Sequence, residues 1–268
     1  MDFGAQTPQA NLRFAVVGDS FSEGVGDELP NGTVRGWADL VAQGLADALG
    51  EPIQYANFAI RGKKITEIVT EQLPRALALE PTLVSFNGGG NDMLRPSTDI
   101  AAIMLQTRDA VDAILTAGAQ PLLLAGADPT IGIPQGKKVR AKGDELTAAA
   151  HHLAAELGLQ FCDNWSSPIL KQRGYWSPDR LHLAPVGHHR VAANVLQTLG
   201  YQVPETWQLT APQLPKPGLL AQLQYTKEHV LPWLKRRLTG TSSGDGRQPK
   251  YPAWVWIHPS EAHPDAAQ

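Results

Sequence analysis

The chain has 268 residues, of which 43% are hydrophobic and 18% are charged, and its formal net charge is -3 at pH 7. Such a composition is typical of a globular protein with enough chain to bury a full core. The small negative charge gives no reason to expect nucleic acid or an anionic membrane surface as a partner.

The N-terminus and the cysteine content favour a cytoplasmic location. Met1 to Gln6 contain neither a basic segment nor an apolar run, so no signal peptide is predicted. No apolar run approaches the ~20 residues that span a bilayer. The single cysteine, Cys162, follows the apolar stretch Leu157 to Phe161 and is interpreted as a buried small hydrophobic residue. We therefore expect a cytoplasmic protein that makes no membrane contact.

Apolar runs typical of strands alternate along the chain with amphipathic stretches typical of helices. The predicted strands are Arg13 to Gly18, Ile53 to Phe58, Thr82 to Phe86, Gln120 to Ala125 and Gln160 to Cys162. The predicted helices are Trp37 to Leu49, Ile65 to Leu79, Ile100 to Ala117, Lys142 to Leu157 and Val186 to Leu199. Five β-then-α units predict a three-layer α/β/α sandwich around a five-stranded parallel sheet. Right-handed crossovers with one reversal predict the flavodoxin-like strand order 2-1-3-4-5.

The composition changes after Gly200, so we expect one domain over residues 10–200 and an extension over residues 201–268. Several prolines indicate a linker, Leu219 to Leu238 predicts a helix, and Thr239 to Gln268 is expected to be irregular. We expect the helix to pack on the domain. The alternative, a position on an anionic membrane surface, is disfavoured because Pro232 interrupts the helix.

The first predicted strand leads directly into Gly18-Asp19-Ser20. The carboxyl edge of a parallel sheet is where α/β proteins place their chemistry, so Ser20 is a candidate nucleophile. A Gly-Asp-Ser alone is better explained as the cap of the following helix, formed by Asp19 and Ser20.

A second motif, Asp179-x-x-His182, supplies what a nucleophilic serine needs. The histidine can take the hydroxyl proton, and the carboxylate can fix the orientation of the ring. His188 and His189 are competing bases, but they fall inside the following predicted helix, where a packed or solvated histidine is favoured.

Two further turns carry hydrogen-bond donors for the oxyanion of an acyl-transfer reaction. Gly62 ends the stretch Asn57 to Gly62 and offers an unobstructed backbone N–H. Asn91, after Gly88-Gly89-Gly90, offers its side-chain amide. Taken singly, each stretch is an ordinary turn or helix cap.

The four motifs together resemble the SGNH-hydrolase family, also called GDSL esterases and lipases, across about residues 12 to 199. The resemblance implies a catalytic triad of Ser20 as nucleophile, His182 as base and Asp179 as its orienting group. It implies an oxyanion hole made by the Ser20 N–H, the Gly62 N–H and the Asn91 amide, with no metal or cofactor. Phe21 stands where the family usually has leucine. The expected activity is hydrolysis of a small-molecule carboxylic ester or thioester through an acyl-enzyme, and the resemblance does not choose the acyl group.

Two alternatives remain at this point. A metal-dependent phosphoesterase would use Asp19, Asn91, Asp92 and the late histidines as ligands, but the histidines are not spread over several strand ends. A non-catalytic binding module on the same fold is the other alternative. Separately, Arg61, Lys63 and Lys64 around Gly62 are expected to be an ordinary solvated basic turn, and a preference for anionic substrates is the alternative.

Overall fold

The computed structural model of the chain describes residues 12–131, 136–207, 209–215, 218, 220, 224–230 and 243–261. Its centre is a six-stranded sheet with the order β5-β4-β3-β1-β2-β6. The strands are β1 (Arg13–Val17), β2 (Ile53–Asn57), β3 (Leu83–Phe86), β4 (Gln120–Ala125), β5 (Gln160–Asp163) and β6 (Tyr251–Ile257). The first five strands are parallel, and β6 runs antiparallel to β2 at the edge.

The predicted order 2-1-3-4-5 is confirmed for the first five strands, but the prediction of five strands is wrong. The sixth strand comes from Tyr251–Ile257, inside a segment expected to be irregular. It pairs with β2 from Ile53 opposite Ile257 to Asn57 opposite Tyr251. Pro252 is tolerated here because an edge strand needs ladder hydrogen bonds on one side only.

The helices lie in two layers on the faces of the sheet. They are α1 (Ser20–Glu23), α2 (Trp37–Leu49), α3 (Ile65–Glu67), α4 (Leu73–Leu77), α5 (Gly90–Met93), α6 (Ile100–Thr116), α7 (Gly136–Leu157) and α8 (Pro185–Thr198), with 3₁₀ turns at Arg173–Tyr175 and Glu205–Trp207. The alternation of side chains along β1 divides the core. Phe14 and Val16 pack with α2 and α8, whereas Ala15 and Val17 pack with α3, α4, α6 and α7.

Two of the predicted helices differ from the prediction by more than one residue, and a third lies mostly outside the described residues. α7 begins at Gly136 rather than Lys142. The helix predicted over Ile65 to Leu79 is broken by a π-helical turn at Ile68–Gln72 between α3 and α4. Most of the helix predicted over Leu219 to Leu238 lies outside the described residues, although residues 224–230 are helical and end in a π-turn. Within the described residues, no helix is both long and apolar enough to cross a membrane.

Candidate active site

The turn that carries the predicted nucleophile (the nucleophile turn, Gly18 to Ser20) follows β1 and places Ser20 at the first position of α1. Asp19 is the N-cap of this short helix, and its Oδ1 accepts a hydrogen bond from the Phe21 N–H at 3.0 Å. The cap predicted from the sequence is therefore present, and Ser20 is still half-buried at the carboxyl edge of the sheet. The cap does not use the Ser20 hydroxyl, because Asp19 and not Ser20 provides it.

The backbone before the serine is held by a side chain from the π-turn. Gln72 is 3% exposed; its Oε1 accepts from the Gly18 N–H at 2.8 Å, and its Nε2 donates to the Gly18 carbonyl at 2.9 Å. The Gly18 N–H, just beyond the end of β1, is thus satisfied by an amide side chain, and the Gly18 carbonyl accepts from both Gln72 and the Ile60 N–H at 3.2 Å. The nucleophile turn is consequently fixed from two sides, by its own cap and by Gln72.

The loop between the Arg173–Tyr175 turn and α8 brings Asp179 and His182 together. Asp179 Oδ2 lies 2.6 Å from His182 Nδ1, while its Oδ1 accepts from the Ser177 hydroxyl and from the Leu181 and His182 backbone N–H groups. The loop turns at Arg180, a non-glycine residue with φ of 58°. The carboxylate thus organises the loop and fixes the histidine ring with Nδ1 toward Asp179 and Nε2 on the opposite side.

The environment of Asp179 keeps it ionised. Burial alone would raise the pKa of this carboxyl, but the hydrogen bond and the charge of His182, together with the Ser177 hydroxyl, hold the pKa well below its usual range. An ionised carboxylate at this position stabilises a positive charge on the imidazole, which a general base acquires when it takes a proton.

The nucleophile segment and the histidine loop are packed against each other. Gly26, at φ 101°, approaches the chain so closely that a Cβ there would lie 2.0 Å from the Leu183 carbonyl oxygen and 3.4 Å from His182 Cβ. His188 reinforces this contact, because its Nε2 donates to the Val25 carbonyl at 3.1 Å and its Nδ1 accepts from the Trp37 N–H at 3.2 Å. Burial lowers the pKa of His188 to about 4, so this histidine is neutral and packed.

The two predicted oxyanion donors lie on neighbouring turns that are bonded to each other. Asn91 Nδ2 donates to the Lys63 carbonyl at 2.9 Å and to Asp19 Oδ2 at 3.2 Å, so its amide links the Gly62 turn to the nucleophile turn. Gly62 itself has φ of 79°. The amide group is therefore held beside Ser20 by its own hydrogen bonds rather than left free to rotate.

A buried ion pair fastens the Gly62 turn to α1. Glu23 accepts from the Arg61 backbone N–H at 2.6 Å and from the Arg61 guanidinium at 2.6–3.0 Å. Lys63 pairs with Glu67 and Glu71 in the same region. Arg61 and Lys63 are thus neutralised within the fold, which favours a structural role for this basic turn.

The carboxyl of Asp19, which caps α1 and accepts from Asn91, is buried. Asp19 is 6% exposed, and burial raises its pKa to about 6. The hydrogen bond from Phe21 and the neighbouring His182 act in the opposite direction and lower the pKa. The carboxyls of Asp92 and Glu23 raise the pKa further. Asp92 also bonds the Ile65 N–H at 3.0 Å through Oδ2. Asp19 thus titrates within the pH range in which a histidine base operates.

One cavity of about 260 Å³ connects these side chains. Ser20, Gly62, Asn91 and His182 all line it, as do His188 and Ser243. Apolar side chains from α5, α6, β4, α7 and the segment after β5 also line it, among them Met93, Met104, Leu123, Leu146 and Trp165. In the part of the chain that the structure describes, no cluster of three or more histidine, cysteine or acidic side chains is arranged to hold a metal ion.

Sequence reasoning missed the residues that support the site from behind. Glu23 lies three residues after Ser20, and Gln72 lies inside an amphipathic helix, where a glutamine is an ordinary surface residue. Glu23 carries a weak signal, since a carboxylate in a helix of mostly buried residues needs a cation. Gln72 carries none, because only the π-turn rotates it toward Gly18.

The chain matches one protein-family model and a set of solved structures. The model of the GDSL-like Lipase/Acylhydrolase family matches residues 16–190. No curated protein sequence matches the chain significantly.

Among solved structures, that of TesA has a TM-score of 0.58 and 26% sequence identity, covering 70% of this chain and 97% of that one. Axe2, an acetylxylan esterase from Geobacillus stearothermophilus, has a TM-score of 0.59 and 19% identity, with coverage of 72% and 97%. The lipase Lip_vut3 from a goat rumen metagenome has a TM-score of 0.60 and 19% identity, with coverage of 72% and 99%. The last two likenesses concern the fold alone. The family match spans well over half of the chain, and the chain therefore belongs to the GDSL-like lipase/acylhydrolase family of ester hydrolases.

Proposed function

We propose that the protein hydrolyses carboxylic esters by serine acyl transfer. Ser20 Oγ attacks the ester carbonyl, His182 takes the hydroxyl proton, and Asp179 holds the ring and stabilises its positive charge. His182 then protonates the leaving alcohol, which departs as the acyl-enzyme forms. Water, deprotonated by the same histidine, attacks the acyl-enzyme and releases the acid.

The observation that carries this proposal is the shared cavity. Ser20 and His182 line it together, and His182 is bonded at 2.6 Å to a carboxylate whose pKa lies well below its usual range. A nucleophile, a base and an orienting group around one accessible space form the arrangement that acyl transfer requires. His188 is a poor alternative base, since both of its ring nitrogens are already bonded to the backbone.

The oxyanion is stabilised by three donors: the backbone N–H groups of Ser20 and Gly62 and the side-chain amide of Asn91. The Asn91 amide is already held by Asp19 and Lys63, so it needs no reorganisation when charge develops on the substrate. The oxyanion shares an N–H of this amide with one of those acceptors.

The substrate is a small-molecule ester whose acyl group is apolar. The lining of the cavity includes the thioether and aliphatic side chains of Met93, Met104 and Leu146, and Met93 lies two residues after Asn91 in the chain. An acyl chain placed there is removed from water at about 25 cal/mol per Å² of buried apolar surface. The favoured substrates are esters of medium-length acids rather than acetates.

The proposal is tested with p-nitrophenyl esters of increasing acyl length and with a fluorophosphonate probe. The purified protein is expected to hydrolyse the esters and to be labelled at Ser20. Ser20→Ala is expected to lose several orders of magnitude in turnover and all labelling. The matched control is Ser166→Ala, an exposed serine that does not line the cavity. Near-full activity in Ser20→Ala would overturn the mechanism.

A further inference from the structure

The C-terminal extension, residues 201–268, returns to the candidate active site after leaving the catalytic domain. The family match ends at residue 190, so this extension lies outside it. Its described parts nevertheless contact the loop of Asp179 and His182, the turn of Gly62 and the end of α1, as follows.

The first contact is made by Tyr225. This tyrosine is 7% exposed, and its hydroxyl donates to the Asp179 carbonyl oxygen at 3.3 Å. The Arg180 guanidinium carbon lies 3.7 Å from the centre of the Tyr225 ring. A guanidinium this close to an aromatic face gains a cation–π attraction that is strongest when the pair is shielded from water.

Arg180 needs such support because of its backbone. Its φ of 58° lies in the left-handed region, which is unfavourable for a residue with a side chain. This conformation turns the chain so that the Asp179 carboxylate meets the N–H groups of Leu181 and His182. A strained residue persists only when its surroundings over-determine it. The Tyr225 ring, which belongs to the extension, is one of the contacts that hold Arg180 in this conformation.

The second contact is made by the turn at residues 243–246. A Cβ on Gly244 would lie 2.0 Å from the Arg61 carbonyl oxygen and 3.0 Å from Ile60 Cγ2, so the turn touches the backbone immediately before Gly62. Ser243, next to it, lines the cavity. Only glycine permits this approach, since every other side chain would displace the turn.

A third contact connects the extension to α1. Lys250 Nζ donates to the Glu23 carbonyl at 2.7 Å, to the Val34 carbonyl at 3.3 Å and to Asp39 Oδ2 at 2.5 Å. Glu23 is the last residue of the helix that begins with Ser20. The extension is therefore attached to the nucleophile helix as well as to the two loops.

We propose that the C-terminal extension is a positioning element of the active site. Tyr225 holds the loop of Asp179 and His182 in its productive shape, and the turn around Gly244 holds the Gly62 turn and completes the cavity wall. This inference rests on the proposed function, because it assigns the extension to loops whose catalytic roles are themselves proposed. Tyr225 and Gly244 act through other residues and do not touch the reacting atoms.

The first test replaces Tyr225. Tyr225→Leu is expected to lower kcat for a short p-nitrophenyl ester about tenfold, with KM nearly unchanged, because small displacements of catalytic groups reduce turnover strongly. Tyr225→Phe keeps the ring under Arg180 and should recover most of the loss. Arg180→Gln should cost less when added to Tyr225→Leu than when made alone, because both changes remove the cation–π contact between the two side chains. The control Tyr201→Leu alters a half-buried tyrosine of the extension that packs against the core.

The second test replaces Gly244. Gly244→Ala is expected to reduce kcat/KM severalfold by displacing the turn from Arg61. Gly218→Ala is the matched control, because a Cβ there meets no atom of the described residues within 4 Å. Equal effects of the Gly244 and Gly218 substitutions would contradict a role for the turn.

An activity-independent measurement separates this inference from the proposed function. The downfield proton NMR signal of His182 Nδ1, assigned by its loss in His182→Ala, should broaden or vanish in Tyr225→Leu and persist in Tyr225→Phe and Tyr201→Leu. An unchanged signal with unchanged kcat would overturn the inference while Ser20→Ala remained inactive. An active Ser20→Ala would instead refute the proposed mechanism, and the NMR result would still test the positioning of the loop.

Discussion

The buried carboxyl of Asp19 predicts a pH dependence of stability that one substitution removes. Burial raises its pKa from 3.8 to about 6. Between these values the folded protein retains a proton that the unfolded chain has released, so the free energy of unfolding falls as pH rises. The loss is complete about one unit above the folded-state pKa, and a shift of about two pKa units corresponds to about 3 kcal/mol.

Asp19→Asn cannot ionise, so it lacks this contribution. The variant also loses one acceptor, because the carboxylate accepts from both Phe21 and Asn91 and the amide has one oxygen. Losing this acceptor lowers the free energy of unfolding of the variant by an amount that does not depend on pH. We therefore expect the stability of the variant relative to wild type to improve by up to about 3 kcal/mol between pH 4 and pH 7.

The assay is urea unfolding of both proteins at several pH values between 4 and 8. Carboxyls with shifted pKa values that do not interact with Asp19, such as Asp39 and Asp179, contribute to both proteins and cancel in the difference. Asp112→Asn, the same change at an exposed position of α6, is the control. A difference between wild type and Asp19→Asn that is flat across this range, or that has the opposite sign, would refute the burial argument.

Three further predictions follow from the site. Asn91→Ala should lower kcat by ~10²–10³ with little change in KM, measured with p-nitrophenyl esters, and a loss confined to KM would contradict an oxyanion role. Arg61→Ala leaves the Glu23 carboxylate buried without its cation and should cost about 3–5 kcal/mol in urea unfolding, whereas an exposed pair such as Arg108 and Glu156 should cost less than about 1 kcal/mol. Burial raises the pKa of Cys162 to about 11, so its thiol should react slowly with Ellman's reagent at pH 8 until urea is added, and Cys162→Ala should keep full turnover.

The sequence was sufficient to predict the first five strands and their order, because each strand is an apolar run followed by an amphipathic helix. It was insufficient for β6. Tyr251–Ile257 contains a proline and follows an irregular segment, and its strand conformation depends on pairing with β2, almost 200 residues earlier in the chain. Local propensity cannot report a partner so distant in sequence.

The same distinction holds at the site. Ser20, Gly62, Asn91, Asp179 and His182 stand in short motifs that can be read locally, and their roles stay predictions until the variants are measured. The groups that position them cannot be read in this way. Glu23, Gln72 and Tyr225 act through contacts that separate them from their partners by 38, 54 and 46 residues, respectively. Their residue types are compatible with many surface positions, so only the packed structure assigns them.

The π-turn at Ile68–Gln72 has a consequence for how this enzyme tolerates insertions and deletions. A π-turn holds one residue more than an α-helical turn, and an α-helix rotates each residue by about 100° from the last. Deleting one residue there would restore regular winding and swing Gln72 away from Gly18. The buried N–H of Gly18, two residues before Ser20, would lose its acceptor. This loss would cost about 1–3 kcal/mol of stability. The register of a helix that is distant from Ser20 in sequence therefore constrains the backbone leading into this serine.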